Sequence, residues 1–435
     1  MMMRVFAALM LLALPLRAEV AIQEVTSPGG IKAWLVEEHG IPFTALELRF
    51  RGGTSLDAPG KRGAVNLMTA TIEEGAGELD AQEFAEARDA LAAEFRFNSG
   101  QDTVGVSARF LTENRDAAVE LLRTALLTPR FDQAAVDRVR EQVLSNIRSN
   151  AKDPGALAGQ AFDALAFGPH PYGTTGDGTE ASVSALTRDD IVAANKGALA
   201  RDRIYVSAVG DISAPELGAL LDRLLGDLPE TGAPLPGRAD YLLKGGVTVQ
   251  DFPTPQATVL FGHQGITRDD PDFFAAYIVN EVLGGDRFTA RLMTELREKR
   301  GLTYGVGTAL APMDQAELVM GQFASANETV AEAIDLVRKE WAALARDGVT
   351  EAELAATKTY LTGGYPLRFD GNGPIANILV GMQMDGLPID YAATRNAKIE
   401  AVTMDDVKRV ATRLLLPDAL HFVVVGQPVG VVSSN

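Results

Sequence analysis

The sequence predicts an α+β fold built twice: two tandem homologous domains, each a mainly antiparallel sheet with helices packed on one face. Three observations carry that expectation. Residues 186–211, LTRDDIVAANKGALARDRIYVSAVGD, line up without a gap with residues 402–427, VTMDDVKRVATRLLLPDALHFVVVGQ, at a constant offset of 216. Paired alternating segments sit among helical patterns, which favours antiparallel pairing over a doubly wound parallel sheet. A Pro/Gly-rich stretch, GDLPETGAPLPGRADYLLKGG at 226–246, separates the two copies. The expected organisation is a leader at 1–18, a first domain at 19–226, a linker at 227–246 and a second domain at 247–435.

The chain opens MMMRVFAALMLLALPLRAEV. Arg4 precedes an apolar run at 5–14, and Leu16-Arg17-Ala18 offers a small residue at a cut site. That is the pattern of a secretory signal peptide cleaved near Ala18, too short to serve as a permanent membrane anchor. The expected location is periplasmic or secreted. With no cysteine in 435 residues, no disulfide and no thiol-linked lipid anchor can form. A net charge of −18 argues against a phosphate-tracking surface, so no nucleic acid partner is expected.

In the first half, strand patterns at 31–38 (IKAWLVEE) and 43–50 (FTALELRF) precede a helix. Ala64, Leu67, Met68, Thr71 and Ile72 recur at helical spacing and face a core, while Asn66, Thr69, Ala70 and Glu73 share the other side. A second strand pair follows at 94–100 (EFRFNSG) and 103–110 (TVGVSARF). Further on, Thr187 and Thr403 stand as equivalent N-caps, each trailed by two aspartates that complement the helix dipole. Strands at 204–209 and 421–425 then run into glycine. A weaker echo pairs residues 132–144 with 350–362.

In the second half, residues 279–310 read VNEVLGGDRFTARLMTELREKRGLTYGVGTAL. Phe288, Leu292 and Leu296 mark one apolar helical face, and Gly301 stands where a C-terminal cap belongs. From Leu302 the period changes to alternation, with Leu302, Tyr304, Val306, Thr308 and Leu310 on one face of an expected strand.

The frame LGG…F.ARL…LREKRGLTY, together with LDAPGKRGAVN, AKDPGALAGQAF and FGPHPYGTTGDG, resembles the insulinase/pitrilysin family of zinc peptidases, which includes the mitochondrial processing peptidases. The resemblance spans essentially the whole mature chain and implies the mitochondrial-processing-peptidase-like metallohydrolase fold. Peptide-cleaving members carry H-x-x-E-H, two histidines holding zinc and a glutamate activating water. The resemblance places that motif on Asn66-Leu67-Met68-Thr69-Ala70, and the third ligand on Asn146. Asparagine is a poor zinc ligand, alanine is none, and Thr69 cannot act as a carboxylate base. His39, His170, His263 and His421 are the only histidines, and none lies on these helices. Glu73 and Glu74 read as exposed helix-end carboxylates. The expectation is no catalytic residue, no metal and no cofactor in this chain, with Asn66, Thr69, Ala70 and Asn146 marking a vacated zinc site.

In two-chain members the zinc-free subunit supplies an arginine and a tyrosine that hold the substrate. The resemblance puts them at Arg297 and Tyr304. From the residues alone, Arg297 reads as part of a solvated helix face and Tyr304 as a strand aromatic with a wet hydroxyl. Gly284 and Gly285 resemble a shortened glycine-rich loop of non-catalytic subunits, and equally satisfy the geometry of a helix start. His170 reads as structural, His263 and His421 as sheet residues, and Asp153-Pro154 as turn punctuation. The implied protein is the non-catalytic, substrate-binding subunit of a heterodimeric, exported zinc metallopeptidase acting on peptides or unfolded segments. Its partner would be a homologous H-x-x-E-H subunit holding the zinc. The alternative is a catalytically dead scaffold or binding protein of the same fold.

Overall fold

The computed structural model describes residues 21–434, so the leader expected at 1–18 lies outside the described residues. The first half contains β1 (Gln23–Thr26), β2 (Lys32–Glu37), β3 (Phe43–Arg51), the short pair β4 (Gly75–Ala76) and β5 (Leu79–Asp80), β6 (Glu94–Ser99), β7 (Thr103–Leu111) and β8 (Ile204–Gly210). The second contains β9 (Gly246–Asp251), β10 (Gln256–Gln264), β11 (Val306–Pro312), β12 (Glu317–Ala326) and β13 (His421–Gly426). Six strands form the first large sheet, in the order β1-β2-β8-β3-β7-β6, and five form the second, in the order β11-β12-β10-β13-β9. Only β2–β8 and β9–β13 pair in parallel; every other contact in these two sheets is antiparallel. The α+β architecture read from the sequence is the observed one.

The duplication survives in detail. Helices Arg188–Ala198 and Met404–Leu414 both begin at a threonine whose side chain accepts from the backbone of the second following aspartate, and that aspartate reaches back to the threonine N–H. Each helix leads into an interior strand of its sheet, β8 or β13. In β8, Val206 and Ala208 join the core beneath their own domain's helices, and in β13 Phe422 and Val424 do the same.

The other face of each of these strands is equally dry, and here the domains exchange cover. Ser207 and Val209 of β8 lie against helix Asn372–Met384 from the second half, packed on Ala376, Leu379 and Met382 with Trp34 and Ala45. Val423 and Val425 of β13 lie against helix Pro154–Phe167 from the first half, packed on Ala158, Phe162 and Phe167. Polar groups fix the first contact: Ser207 Oγ donates to Ala376 O at 2.6 Å, and Gln383 Nε2 donates to Val206 O at 2.7 Å. Helices therefore cover both faces of the sheets, not one as expected. The physical reason is that β8 and β13 are apolar on both sides and need a second layer. Asp153-Pro154, read as a turn, is the start of the exchanged helix: the Asp153 side chain accepts from Ala156 N at 2.7 Å, with proline in the first turn.

Between β8's domain and β9, residues 227–245 hold no strand or helix, yet they are pinned. Leu242 N donates to Ala166 O and Ala239 N to Gln315 O, both at 2.8 Å, while Tyr241 and Leu243 pack beside the exchanged helix Pro154–Phe167. His170 donates through Nε2 to Gly237 O at 3.0 Å while its Nδ1 accepts from Tyr172 N at 3.1 Å. Tyr172 closes the joint: its hydroxyl donates to Asp102 and accepts from Gln315 N at 3.0 Å. Among the described residues no helix is long and apolar enough to cross a membrane.

One tryptophan sits in each half, Trp34 in β2 and Trp341 in helix Val330–Asp347. Phe162 is fully buried at the exchanged contact, so Phe162→Ala is expected to cost about 3–5 kcal/mol. Because each half covers the other, denaturation followed through Trp341 in a Trp34→Phe background and through Trp34 in a Trp341→Phe background is expected to give coincident midpoints.

Candidate functional site

Helix Ala64–Thr71 is set by a buried carboxylate six residues upstream of its cap. Gly63 precedes the helix at φ +97, a conformation that favours glycine. Asp57, its side chain 1% exposed, accepts from Gly63 N and Val65 N, each at 2.8 Å, and lies 3.4 Å from the Arg62 guanidinium. Arg62 donates onward to Thr54 O, to Pro171 O at 3.0 Å, to Thr174 O at 2.8 Å and to Thr175 O at 3.0 Å. Burial pushes the Asp57 carboxyl up against the pull of those backbone N–H groups and Arg62, and burial likewise pulls Arg62 down. One ion pair thus ties the helix to the loop at 171–178.

That loop fills the place opposite the helix. Asn66 Nδ2 donates to Asp177 Oδ1 at 3.2 Å, Asn66 Oδ1 accepts from Ser99 Oγ at 3.3 Å, and Asn150 Nδ2 reaches Asp177 Oδ2 at 3.5 Å. Thr69 is buried and spends its hydroxyl on Val65 O at 2.8 Å, whereas Ala70 is exposed. Asn146 is exposed on helix Gln133–Asn150 and accepts from Gln142 Nε2 at 3.1 Å. The structure therefore joins Asn66 to Asn150 through Asp177, and brings neither Thr69, Ala70 nor Asn146 into that cluster. Glu73 and Glu74, expected as free helix-end acids, are half-buried and paired with Arg88 (3.1 Å) and Arg138. Tertiary folding of two later helices onto the helix end made the difference.

This donor set does not fit zinc. Two amides already share one carboxylate, a hydroxyl is bound to its own helix, and a methyl occupies the second histidine position. Among the described residues no group of three or more His, Cys, Asp or Glu is arranged to hold a metal ion. Asp177 was passed over in the sequence because nothing in FGPHPYGTTGDG says which helix it will meet.

The second site segment begins at Arg291, which grips Glu353 through Nε at 2.7 Å and Nη2 at 2.8 Å, and donates to Gly348 O at 3.1 Å. After it, residues Met293–Glu298 form a π-helical turn, closed by Lys299 N donating to Thr294 O at 3.0 Å. Leu292 and Leu296 are fully buried as expected, but Phe288 is 70% exposed. It sits in the irregular turn after Gly285, off the helix whose face it was expected to extend. Its ring carries the Arg297 guanidinium, 4.8 Å from the centroid. Glu295 binds Lys299 at 2.5 Å and Arg300 at 2.6 Å, so Arg297 is the basic side chain of REKR with no carboxylate partner among the described residues. Gly301, at φ +64, ends the segment.

Tyr304 was expected within a strand, but β11 starts only at Val306. Thr303 interrupts the alternation: its Oγ1 donates to Gly305 O at 2.8 Å and accepts from Gly305 N at 3.1 Å, a local turn that competes with the ladder. Tyr304 stands on that turn, 87% exposed, with no side-chain hydrogen bond among the described residues. No hydrogen bond or ring contact joins it to Arg297.

Gly284 closes helix Phe273–Gly284, and Gly285 follows it, so the pair ends a helix where a helix start was one expectation. A Cβ on Gly284 would stand 2.7 Å from Thr308 Oγ1 and 3.1 Å from Thr308 N; the glycine lets the helix end touch β11. Beside this contact lies a cavity of about 550 Å³ lined by Tyr277, Asn280, Glu281, Thr308, Tyr365 and Arg395. Asn280 Nδ2 donates to Thr308 O at 3.1 Å, but Asn280 Oδ1, Glu281 Oε2 and Thr308 Oγ1 are buried without partners. Burial pushes the Glu281 carboxyl up, Asp286 adds to this, and Arg287 and Arg395 oppose it. The only sequence signal was a polar Asn-Glu pair inside an otherwise apolar helix.

The fold is a duplicated α+β architecture, and helix Ala64–Thr71 carries no zinc-binding motif. Residues 185–361 match the family described as "Peptidase M16 inactive domain". The chain is 26% identical over 372 residues to the non-peptidase homolog YmxG of Helicobacter pylori, covering 85% of this chain and 86% of that one. It is 27% identical over 404 residues to an uncharacterized zinc protease of Mycobacterium leprae, covering 90% and 88%. The crystal structure of a peptidase M16 inactive domain from Pseudomonas fluorescens superposes with a TM-score of 0.88 at 28% identity, covering 95% of this chain and 99% of that one. The chain is thus similar to M16-family proteins described as inactive or non-peptidase, and its own sequence lacks H-x-x-E-H.

Removing the Asp57 carboxylate strands Arg62, so Asp57→Ala is expected to lower stability by about 3–5 kcal/mol in urea denaturation. Burial opposes the charge on Glu353, but Arg291 and Thr350 outweigh it and hold the carboxyl at about 2, below its ordinary 4.5. Its contribution is therefore complete above pH 4.5 and lost as pH falls from 4.5 towards 2. In that window the stability of Glu353→Gln is expected to fall less steeply than that of the wild type.

Proposed function

We propose that this chain is the non-catalytic, substrate-binding subunit of a heterodimeric, exported zinc metallopeptidase acting on peptides or unfolded segments. The observation that carries this reading is the contrast between its two halves. The helix that would hold metal and base offers only neutral, already satisfied groups. Arg297 and Tyr304, in contrast, stand exposed with their donors free of side-chain partners. Zinc on a partner's H-x-x-E-H helix would supply the activated water. Arg297 and Tyr304 would donate to carbonyl oxygens of the bound peptide or to the oxyanion forming in the partner's site. Relatives described as a zinc protease and as a non-peptidase homolog fit a fold shared by cutting and non-cutting chains. The signal-peptide pattern read at 1–18 supports export.

The test is reconstitution with an H-x-x-E-H relative, ideally the product of an adjacent gene. Hydrolysis of an unstructured peptide is expected only in the mixture. Arg297→Ala is expected to lower kcat/KM by about 10²–10³ and Tyr304→Phe by about tenfold or more, with no change in complex formation. A stable complex whose hydrolysis ignores both substitutions would sink the assigned roles. A mixture no more active than the zinc subunit alone would leave the scaffold reading in its place.

A further inference from the structure

A separate cavity, of about 450 Å³, lies over the first sheet at the start of helix Asn372–Met384, away from both segments described above. Its floor is set by register. Glu94, Arg109 and Ala45 form one cross-strand row, and Arg96, Ser107 and Glu47 the next. Glu47 is already spent, 2.7 Å from Arg49 and accepting from Ser107 Oγ at 2.7 Å. Arg96 and Arg109 have no carboxylate within ion-pair distance among the described residues, and the Arg109 guanidinium rests 4.6 Å from the Phe43 ring centroid.

The roof adds donors. Helix Asn372–Met384 begins after Gly371, at φ +87, which has no side chain to cap it. Its first N–H groups and the positive end of its dipole therefore meet the cavity uncapped. Independently, Asn372 is only 7% exposed, lines the cavity, and its Nδ2 has no hydrogen-bond partner. A buried amide donor without an acceptor is costly to leave unmet. Two unpaired guanidinium groups, that amide and the helix start all present N–H groups, and Glu94 is the one unspent carboxylate among them. The apolar wall is Ile41, Phe43 and Pro374.

We propose that this cavity is a binding site for a small anion, a carboxylate or phosphate borne on a compact apolar body. The anion is held between Arg96 and Arg109 and the first N–H groups of the helix, beside the buried Asn372 side chain. The site is independent of the peptide-binding reading, because it shares no residue with Arg297 or Tyr304. Occupancy also bears on the domain joint, since its donors come from both halves.

The test is titration of the purified mature chain at low salt with hexanoate and, separately, inorganic phosphate, followed by amide NMR shifts. One-site, saturable shifts are expected at Gly371, Asn372 and Gly373. The Arg96→Gln/Arg109→Gln double variant is expected to weaken binding by about tenfold or more, and Glu94→Gln to tighten it. Arg346→Gln, a distant surface change, is expected to leave it unchanged. Tighter hexanoate binding identifies a carboxylate with an apolar tail as the ligand class; tighter phosphate binding identifies a phosphoryl group. No saturable shift at those amides with either probe up to about 50 mM overturns the proposal. So does a double variant that folds, by its thermal melt, and binds as the wild type does. Equal weakening by Arg346→Gln would also overturn it.

Discussion

The interior strands β8 and β13 are each buried on both faces, and in each case the second face is covered from the other half of the chain. The chain meets that constraint by reciprocal exchange: helix Pro154–Phe167 of the first half covers the second sheet, and helix Asn372–Met384 of the second half covers the first. Each domain's stability is then inseparable from the other's position. Val206 and Ala208 answer to their own helices while Ser207 and Val209 answer to the neighbour's, and Phe422–Val425 repeat the division. The joint is further fixed by Tyr172, Asp102 and the backbone at 314–315. The rigid frame that results holds the exposed segments in fixed relation.

Within that frame, helix Ala64–Thr71 is firmly supported although it offers no metal ligands. Asp57 and Arg62 still fix helix Ala64–Thr71 and lash it to the loop at 171–178, which is work independent of zinc. The space between the helices is settled with a hydrogen-bonded network, Asn66 and Asn150 sharing the Asp177 carboxylate, that satisfies polar groups without gathering the ligands of a cation site. Such a replacement preserves shape while removing the chemistry. The second half spends its exposed groups differently. Glu295 neutralises Lys299 and Arg300 and leaves Arg297 free, and the Thr303 turn lifts Tyr304 off the strand into solvent. The first half thus keeps a fixed helix without metal ligands, and the second leaves two donors exposed.

The sequence by itself determined the duplicated α+β plan, because hydrophobic period, threonine caps and glycine-ended strands are local signals repeated at one offset. It also determined that no H-x-x-E-H chemistry is available, since ligand identity is written residue by residue. It could not place Phe288 or Tyr304: periodicity extended a helix and a strand through positions where a turn after Gly285 and the Thr303 hydroxyl break them. Nor could it foresee the contact between Asn66, Asn150 and Asp177, or the two cavities, each assembled from segments far apart in the chain. Tertiary structure alone decided these, because long-range packing, rather than local propensity, selects which buried polar groups meet and which are left facing open space.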